Sequence, residues 1–234
     1  MKILIRIWKA FAYTVGAVAL VFVLVQGWFL AHVLYWDSHN PASTRFMERR
    51  LDELRAKNPK AALKHQWVDY NRISTHLKRA VVAAEDAKFL DHEGFDWEGI
   101  QRALEKNQAR GKAVAGGSTI SQQLAKNLFL SGERSVVRKG QEAIITLMLE
   151  TFMTKRRILE LYLNVAEWGE GVFGAEAAAR HHFGTSAANL SAEQSARLAA
   201  MLPRPRFYDR NRGSPYLASY SERILARMPS AQVP

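Results

Sequence analysis

Residues 116–130 read GGSTISQQLAKNLFL. A glycine pair delivers the chain to Thr119, and Gln122 follows three residues later, a T-x-x-Q capping box that opens a helix. A helix start of this kind offers free backbone N–H groups to an anion, and Lys126 lies further along it. Outward from this stretch the helical period continues. Residues 135–152 predict a long helix carrying Ile144, Ile145, Met148, Leu149 and Phe152. Residues 155–164 predict another with Ile158, Leu159, Leu161 and Tyr162. Ser191 and Gln194 form a second capping box ahead of Leu198, Met201 and Leu202, and Pro203 and Pro205 end that helix. On the N-terminal side, Ser74 or Thr75 caps a helix through about Leu90, which Gly94 terminates. Trp97, Ile100 and Leu104 share one helical face. Residues 107–117, with Gly111, Gly116, Gly117, Arg110 and Lys112, predict a mobile loop. Strand signals are weak, there is no internal repeat, and the segment after Pro205 carries no usable pattern. The expected fold is mainly α.

The N-terminus sets the topology. No charged residue occurs from Ala10 to Trp36, a run long enough as a helix to cross a bilayer with some tilt. Lys2, Arg6 and Lys9 precede it without an acid to offset them, which predicts a cytoplasmic N-terminus. Trp28, Tyr35 and Trp36 stand where the far interfacial belt would lie. A cleavable signal would need a shorter apolar region followed by a small-residue site, and the only small pair, Ala17 and Ala19, lies mid-run. The expected organisation is a cytoplasmic tail over 1–9, a membrane helix over 10–36, a stalk or packing arm over 37–70 with a helix around 44–57, and an outer domain over 71–234.

Composition narrows the chemistry. The 234 residues include 33 Lys and Arg against 22 Asp and Glu, a net charge of +11, and no cysteine. Disulfide scaffolds, thiol nucleophiles and cysteine-ligated zinc are excluded. Removing Lys2, Arg6 and Lys9 still leaves the outer region at +8. A basic module held at a membrane points to lipid head groups, phosphates or acidic polymers. The compartment and the absence of zinc-finger or RNA-binding motifs argue against nucleic acid. Gly116–Ile120 lacks the second flanking glycine of a nucleophile elbow. Gly111 and Gly116 have P-loop spacing, but Gly117 stands where lysine is needed. His92-Glu93 has no second histidine for a zincin helix. His181 and His182 are adjacent, without an evident carboxylate partner, and read as surface or packing residues.

A pattern of acids and bases remains. Residues 81–96 read VVAAEDAKFLDHEGFD. As a helix, this places Glu85 one turn from Val81 and one from Phe89, so partial burial would raise its proton affinity and suit it to general-base work. The plainer alternative is a solvated Glu85 paired to Lys88. Arg134, Arg138 and Lys139 fall within six residues, followed by Glu142. The alternatives there are an exposed helix salt bridge from Arg138 to Glu142 or a cationic bed for a diphosphate with a second carboxylate beside it.

Taken together these stretches resemble a known family. Glu85-Asp86-x-x-Phe89-x-x-His92-x-Gly94, then residues 116–127 as GGSTIxQQxxKN, then Arg138-Lys139-x-x-Glu142, are similar to the first three motifs of the peptidoglycan glycosyltransferases, glycosyltransferase family 51. Residues 157–164 with Gly169 and Gly174, and residues 193–205, resemble the fourth and fifth. With the sequence ending at Pro234, one anchor and one catalytic domain resemble the family's monofunctional members, which lack a transpeptidase domain.

The resemblance implies a lysozyme-like helical domain. It also implies polymerisation of lipid II, a disaccharide-pentapeptide on undecaprenyl diphosphate, into β-1,4-linked glycan with inversion. Glu85 matches the base and Glu142 the second essential glutamate. Lys126, Arg134 and Lys139, with Arg138 beside them, match or adjoin the diphosphate-neutralising positions. Ser118, Thr119 and Gln123 would line the cleft, Asp86 and Asn127 would orient neighbours, and Tyr162 and Asn164 would be packing. No cofactor is required by these residues, although some members use a divalent ion, so magnesium or manganese is a candidate at the diphosphate. Partners would be lipid II, the glycan strand, membrane lipids and other wall synthases. The rivals are a membrane-anchored glycan-cleaving enzyme, which needs a protonated acid and no diphosphate bed, and a non-catalytic precursor-binding scaffold.

Overall fold

The chain begins with one long helix, α1 (Lys2–Ser38), long and apolar enough to cross a membrane. It exceeds the uncharged run at both ends. Residues 10–25 are exposed along their length, whereas the last turns of α1 pack on the rest of the molecule. The computed structural model describes residues 1–111, 116–130 and 135–234.

The remaining described α-helices and strands are α2 (Arg45–Arg55), β1 (Lys64–His65), α3 (Thr75–Glu85), α4 (Trp97–Ala109), α5 (Ile120–Phe129), α6 (Val136–Phe152), α7 (Lys155–Val165), β2 (Glu167–Gly169), β3 (Val172–Phe173), α8 (Ala175–Phe183), α9 (Ala192–Met201), α10 (Pro205–Arg210) and α11 (Pro215–Arg227). The architecture is mainly α, as expected. The three short strands order as β1-β3-β2, with β1 parallel and β2 antiparallel to β3. Helix α7 lies at the centre. Ile158, Leu159 and every residue from Leu161 to Val165 are buried, and such all-round burial marks a core helix. Trp168, Tyr162, Phe89 and Phe173 are the largest fully buried side chains, and each aliphatic neighbour in that core contributes roughly 1.5–3 kcal/mol.

Helix α1 is joined to this body rather than merely tethered to it. Phe29 and Val33 are buried, and Phe29, His32 and Trp36 ring Phe129 of α5. The amides of Gln26 and Gln141 exchange two 2.9 Å hydrogen bonds. Arg157 donates to the Trp36 carbonyl at 2.9 Å and the His39 carbonyl at 2.7 Å, so orphan carbonyls at the helix end find a cationic donor.

Several sequence expectations need correction. Helix α3 stops at Glu85, not Leu90, because the Asp86 carboxylate turns away to accept the backbone N–H of Ile120 at 3.0 Å and the Nε2–H of His92 at 2.9 Å. The segment that follows is a folded loop closed by Gly94. At that glycine φ is +88°, and a Cβ would lie 2.7 Å from Thr146 Cγ2. Helix α4 runs through Ala109, so residues 107–109 are helical rather than loop, while 112–115 lie outside the described residues. Trp97 and Leu104 do share a face, but it is turned outward, at 72% and 57% exposure. Pro205 does not merely end a helix; it is the first residue of α10, where a missing N–H costs nothing. The segment after it holds a full helix, α11, capped by Ser214 and packed against α9 and α3 through Leu217 and Ile224.

Candidate active site

Three helices meet around a cleft. Glu85 is the last residue of α3, Gln123 and Lys126 lie one turn apart on α5, and Glu142 sits on α6. The α5 capping box forms as the sequence predicts. Its N-terminus is not a free anion site, however. Asp86 takes the Ile120 N–H, and Thr119 Oγ1 takes the Gln122 N–H at 3.2 Å. Buried Thr119 also donates to the Gly94 carbonyl at 2.7 Å. Asp86 and Thr119 therefore hold the first-motif loop and the start of α5 in register.

Glu85 is half-buried at the cleft wall. Its carboxylate accepts from Gln123 Nε2 at 2.7 Å, and Gln123 Oε1 in turn accepts from the Tyr162 hydroxyl at 3.0 Å. Burial pushes the Glu85 carboxyl above the usual range. The Gln123 amide and the Lys126 charge pull it back, and Asp86 pushes it up again. Lys88, the partner in the solvated alternative, instead pairs with Glu98 at 2.6 Å. Tyr162 thus does more than pack, since it fixes the amide that orients the carboxylate. Asn164 is structural, bonding Val68 on both its N–H and C=O.

The second carboxylate is also not the exposed salt bridge of the plainer reading. Glu142 is 3% exposed. It accepts from Arg138 at 2.7 Å and from Lys139. The Lys126 ammonium forms no hydrogen bond or ion pair among the described residues. Desolvation lowers its pKa, Glu142 and Glu85 raise it, and Arg138 and Lys139 lower it. Its ammonium is therefore held in the field of both glutamates. Arg138 Nε is buried and has no hydrogen-bond partner among the described residues. Three cations against one carboxylate leave this end of the cleft positive. Arg134 lies outside the described residues.

A cavity of about 330 Å³ is lined by Ser118, Gln123, Lys126, Arg138, Lys139 and Glu142, joined by Phe46 and Arg49. A larger one, about 720 Å³, shares Phe46, Gln123 and Lys126 with it and also reaches Asn127 and Tyr162. A third, about 160 Å³, holds Glu85 and Ser118 with Arg227 of α11. Exposed Ser118 and buried Asn127 therefore line cleft surface. Every described candidate from the sequence belongs to this one neighbourhood.

Sequence reasoning missed Phe46, Arg49 and Arg50 of α2, which wall the cleft from the segment expected to be a stalk or packing arm. Arg50 is fixed by a buried 3.0 Å pair with Glu167 of β2, and losing one partner of such a pair typically costs about 3–5 kcal/mol. The only local signal was a short basic amphipathic helix after the span. Beside Lys126, Arg138 and Lys139, the one carboxylate lining the cavity of about 330 Å³ is Glu142, whose two oxygens already accept from Arg138 and Lys139, so the residues described there offer a divalent metal few free oxygen ligands. Away from the cleft, His181 does have a carboxylate partner, contrary to expectation. Asp209 accepts from it at 2.9 Å and from Arg212 at 2.7 Å. Burial would raise the Asp209 carboxyl, but the Arg212 and His181 hydrogen bonds prevail and bring it to about 2. Burial takes His182 down to about 4.

A family model described as Transglycosylase matches residues 51–229. The chain is 66% identical over 213 residues to a biosynthetic peptidoglycan transglycosylase of Dechloromonas aromatica (strain RCB), across 91% of this chain and 92% of the relative. It is 59% identical over 227 residues to the protein of the same name from Nitrosospira multiformis, across 97% of each. With the motifs gathered around one cleft and this match over most of its length, the chain belongs to the transglycosylase family.

Proposed function

We propose that the protein is a membrane-anchored peptidoglycan glycosyltransferase that polymerises lipid II into glycan strands for cell-wall synthesis. The observation that carries this reading is the position of Lys126, shared by two cavities and held in the field of Glu85 and Glu142. Glycan cleavage has no use for a cationic bed there, whereas a departing diphosphate needs one.

In this mechanism Glu85 accepts the proton of the acceptor 4-hydroxyl as its oxygen attacks the donor anomeric carbon. The C1–O bond to the diphosphate breaks on the opposite face, so the α linkage becomes β. Undecaprenyl diphosphate leaves with the bonding electron pair, and Lys126, Arg138 and Lys139 stabilise its developing charge. Preorganised charge of this kind in a partly dry cleft is a large catalytic contribution. Glu142 holds Arg138 and Lys139 in place. Gln123, oriented by Tyr162, keeps Glu85 an acceptor. Helix α1 anchors the chain in the cytoplasmic membrane with Lys2, Arg6 and Lys9 inside and the catalytic domain outside. The exposed Trp97 and Leu104 offer apolar surface to the lipid.

The pH dependence of lipid II polymerisation tests these roles. Activity requires Glu85 ionised and Lys126 protonated. Because Glu85 is shifted up and Lys126 down, the acid limb lies above, and the alkaline limb below, those of the free side chains. Gln123→Leu removes a donor to the charged carboxylate, so its acid limb moves to higher pH. An unmoved acid limb in that variant would contradict the assignment of Glu85.

A further inference from the structure

The cavity of about 720 Å³ carries more positive charge than a sugar groove needs. Five cationic side chains line it, Arg50, Lys126, Arg204, Arg206 and Arg210, against a single lining carboxylate, Glu167. Glu167 is taken up by Arg50, and Lys126 belongs to the diphosphate end described above. The three arginines of the α10 segment are left with weak partners or none. Arg206 stands 3.8 Å from Glu53, which already binds Arg49 and Arg50. Arg210 stands 3.9 Å from Glu170. Arg204 has no carboxylate partner among the described residues, and its guanidinium lies over the Phe207 ring at 4.3 Å. Stacking of this kind holds a guanidinium in place while leaving its edge donors free.

The two sugars of the glycan repeat are uncharged. Apart from the diphosphate, the anionic groups of the substrate are the carboxylates of its stem peptide. Resting on the reading of the protein as a lipid II polymerase, we propose that Arg204 and Arg206 form a carboxylate-binding subsite for the stem peptides of the strand held in the cleft. Guanidinium–carboxylate pairing is charge-assisted and geometrically selective. The subsite would therefore favour strands whose peptides keep free carboxylates over strands whose peptides are amidated.

The test compares the full-length protein with an Arg204→Gln, Arg206→Gln double variant. Both side chains lie at the surface of the cleft and outside the core, so the variant folds. The first probe is binding of finished, uncross-linked glycan strands whose stem peptides carry free carboxylates, beside the same strands after chemical amidation. The wild type binds the free-carboxylate strands about fivefold or more tightly, and the double variant binds both alike. In polymerisation, the variant raises KM for free-carboxylate lipid II and leaves kcat near the wild-type value. Equal binding of both strands by the wild type overturns the subsite. So does an equal loss by the variant toward both forms, which would assign the arginines to the diphosphate or to the sugars. The binding result stands apart from turnover, so a wild type that discriminates between strands yet makes no polymer would contradict the polymerase reading and leave the subsite in place.

Discussion

Replacing Glu85 by glutamine lowers lipid II polymerisation by roughly 10³-fold, within the range by which general bases accelerate proton transfer. The change is nearly isosteric and removes the negative charge and with it the ability to take a proton. Gln123 and Tyr162 remain to hold the side chain. Because burial already works against the charged form of Glu85, the neutral variant keeps its fold, and thermal unfolding shows a midpoint equal to or above that of the wild type. A loss of less than tenfold in rate, with the fold intact, would mean that another group takes the proton.

The second large effect falls on Lys126. Lys126→Met keeps most of the aliphatic stem and removes the charge. The diphosphate gains negative charge as the C1–O bond breaks, so the lysine acts mainly on the transition state. The expected result is a 10²–10³-fold fall in kcat, the scale seen when one preorganised electrostatic contact is lost, with a smaller change in KM. Stability holds or rises, since desolvation opposes the ammonium in the folded state. A rise in KM alone would place Lys126 in ground-state binding and shift the catalytic burden to Arg138 and Lys139.

Much of this cleft is legible along the chain. Both capping boxes, at Thr119–Gln122 and Ser191–Gln194, form as their spacing dictates, since a cap is a local contract between residues three apart. Helices α6 and α7 keep their bounds to within a residue, because their apolar periods are long and unbroken. What the sequence hid is what distant residues decide. Asp86 ends α3 by reaching across to α5, and the same contact closes the N–H groups that read as an open anion site. Polar composition leaves helix α2 readable as either a stalk or a packing arm, and it packs: Arg50 ties it to β2 and turns Phe46 and Arg49 into cleft wall. The Glu142 pair looks like a surface bridge at i, i+4, and only packing against α5 buries it. Helix α11 is different, because its start is local: Ser214 followed by Pro215 is an N-cap and first-turn signal, set in a segment whose serine, proline and arginine content masks the helical period.

The measurement that tests the central claim most directly is incubation of the purified full-length protein with labelled lipid II in detergent or vesicles, resolving glycan length and undecaprenyl diphosphate together. Long glycan accumulating with release of one undecaprenyl diphosphate per disaccharide added is the predicted result. Lipid II left unconsumed while finished glycan is shortened would contradict it, and would make Glu85 the acid of a cleaving enzyme.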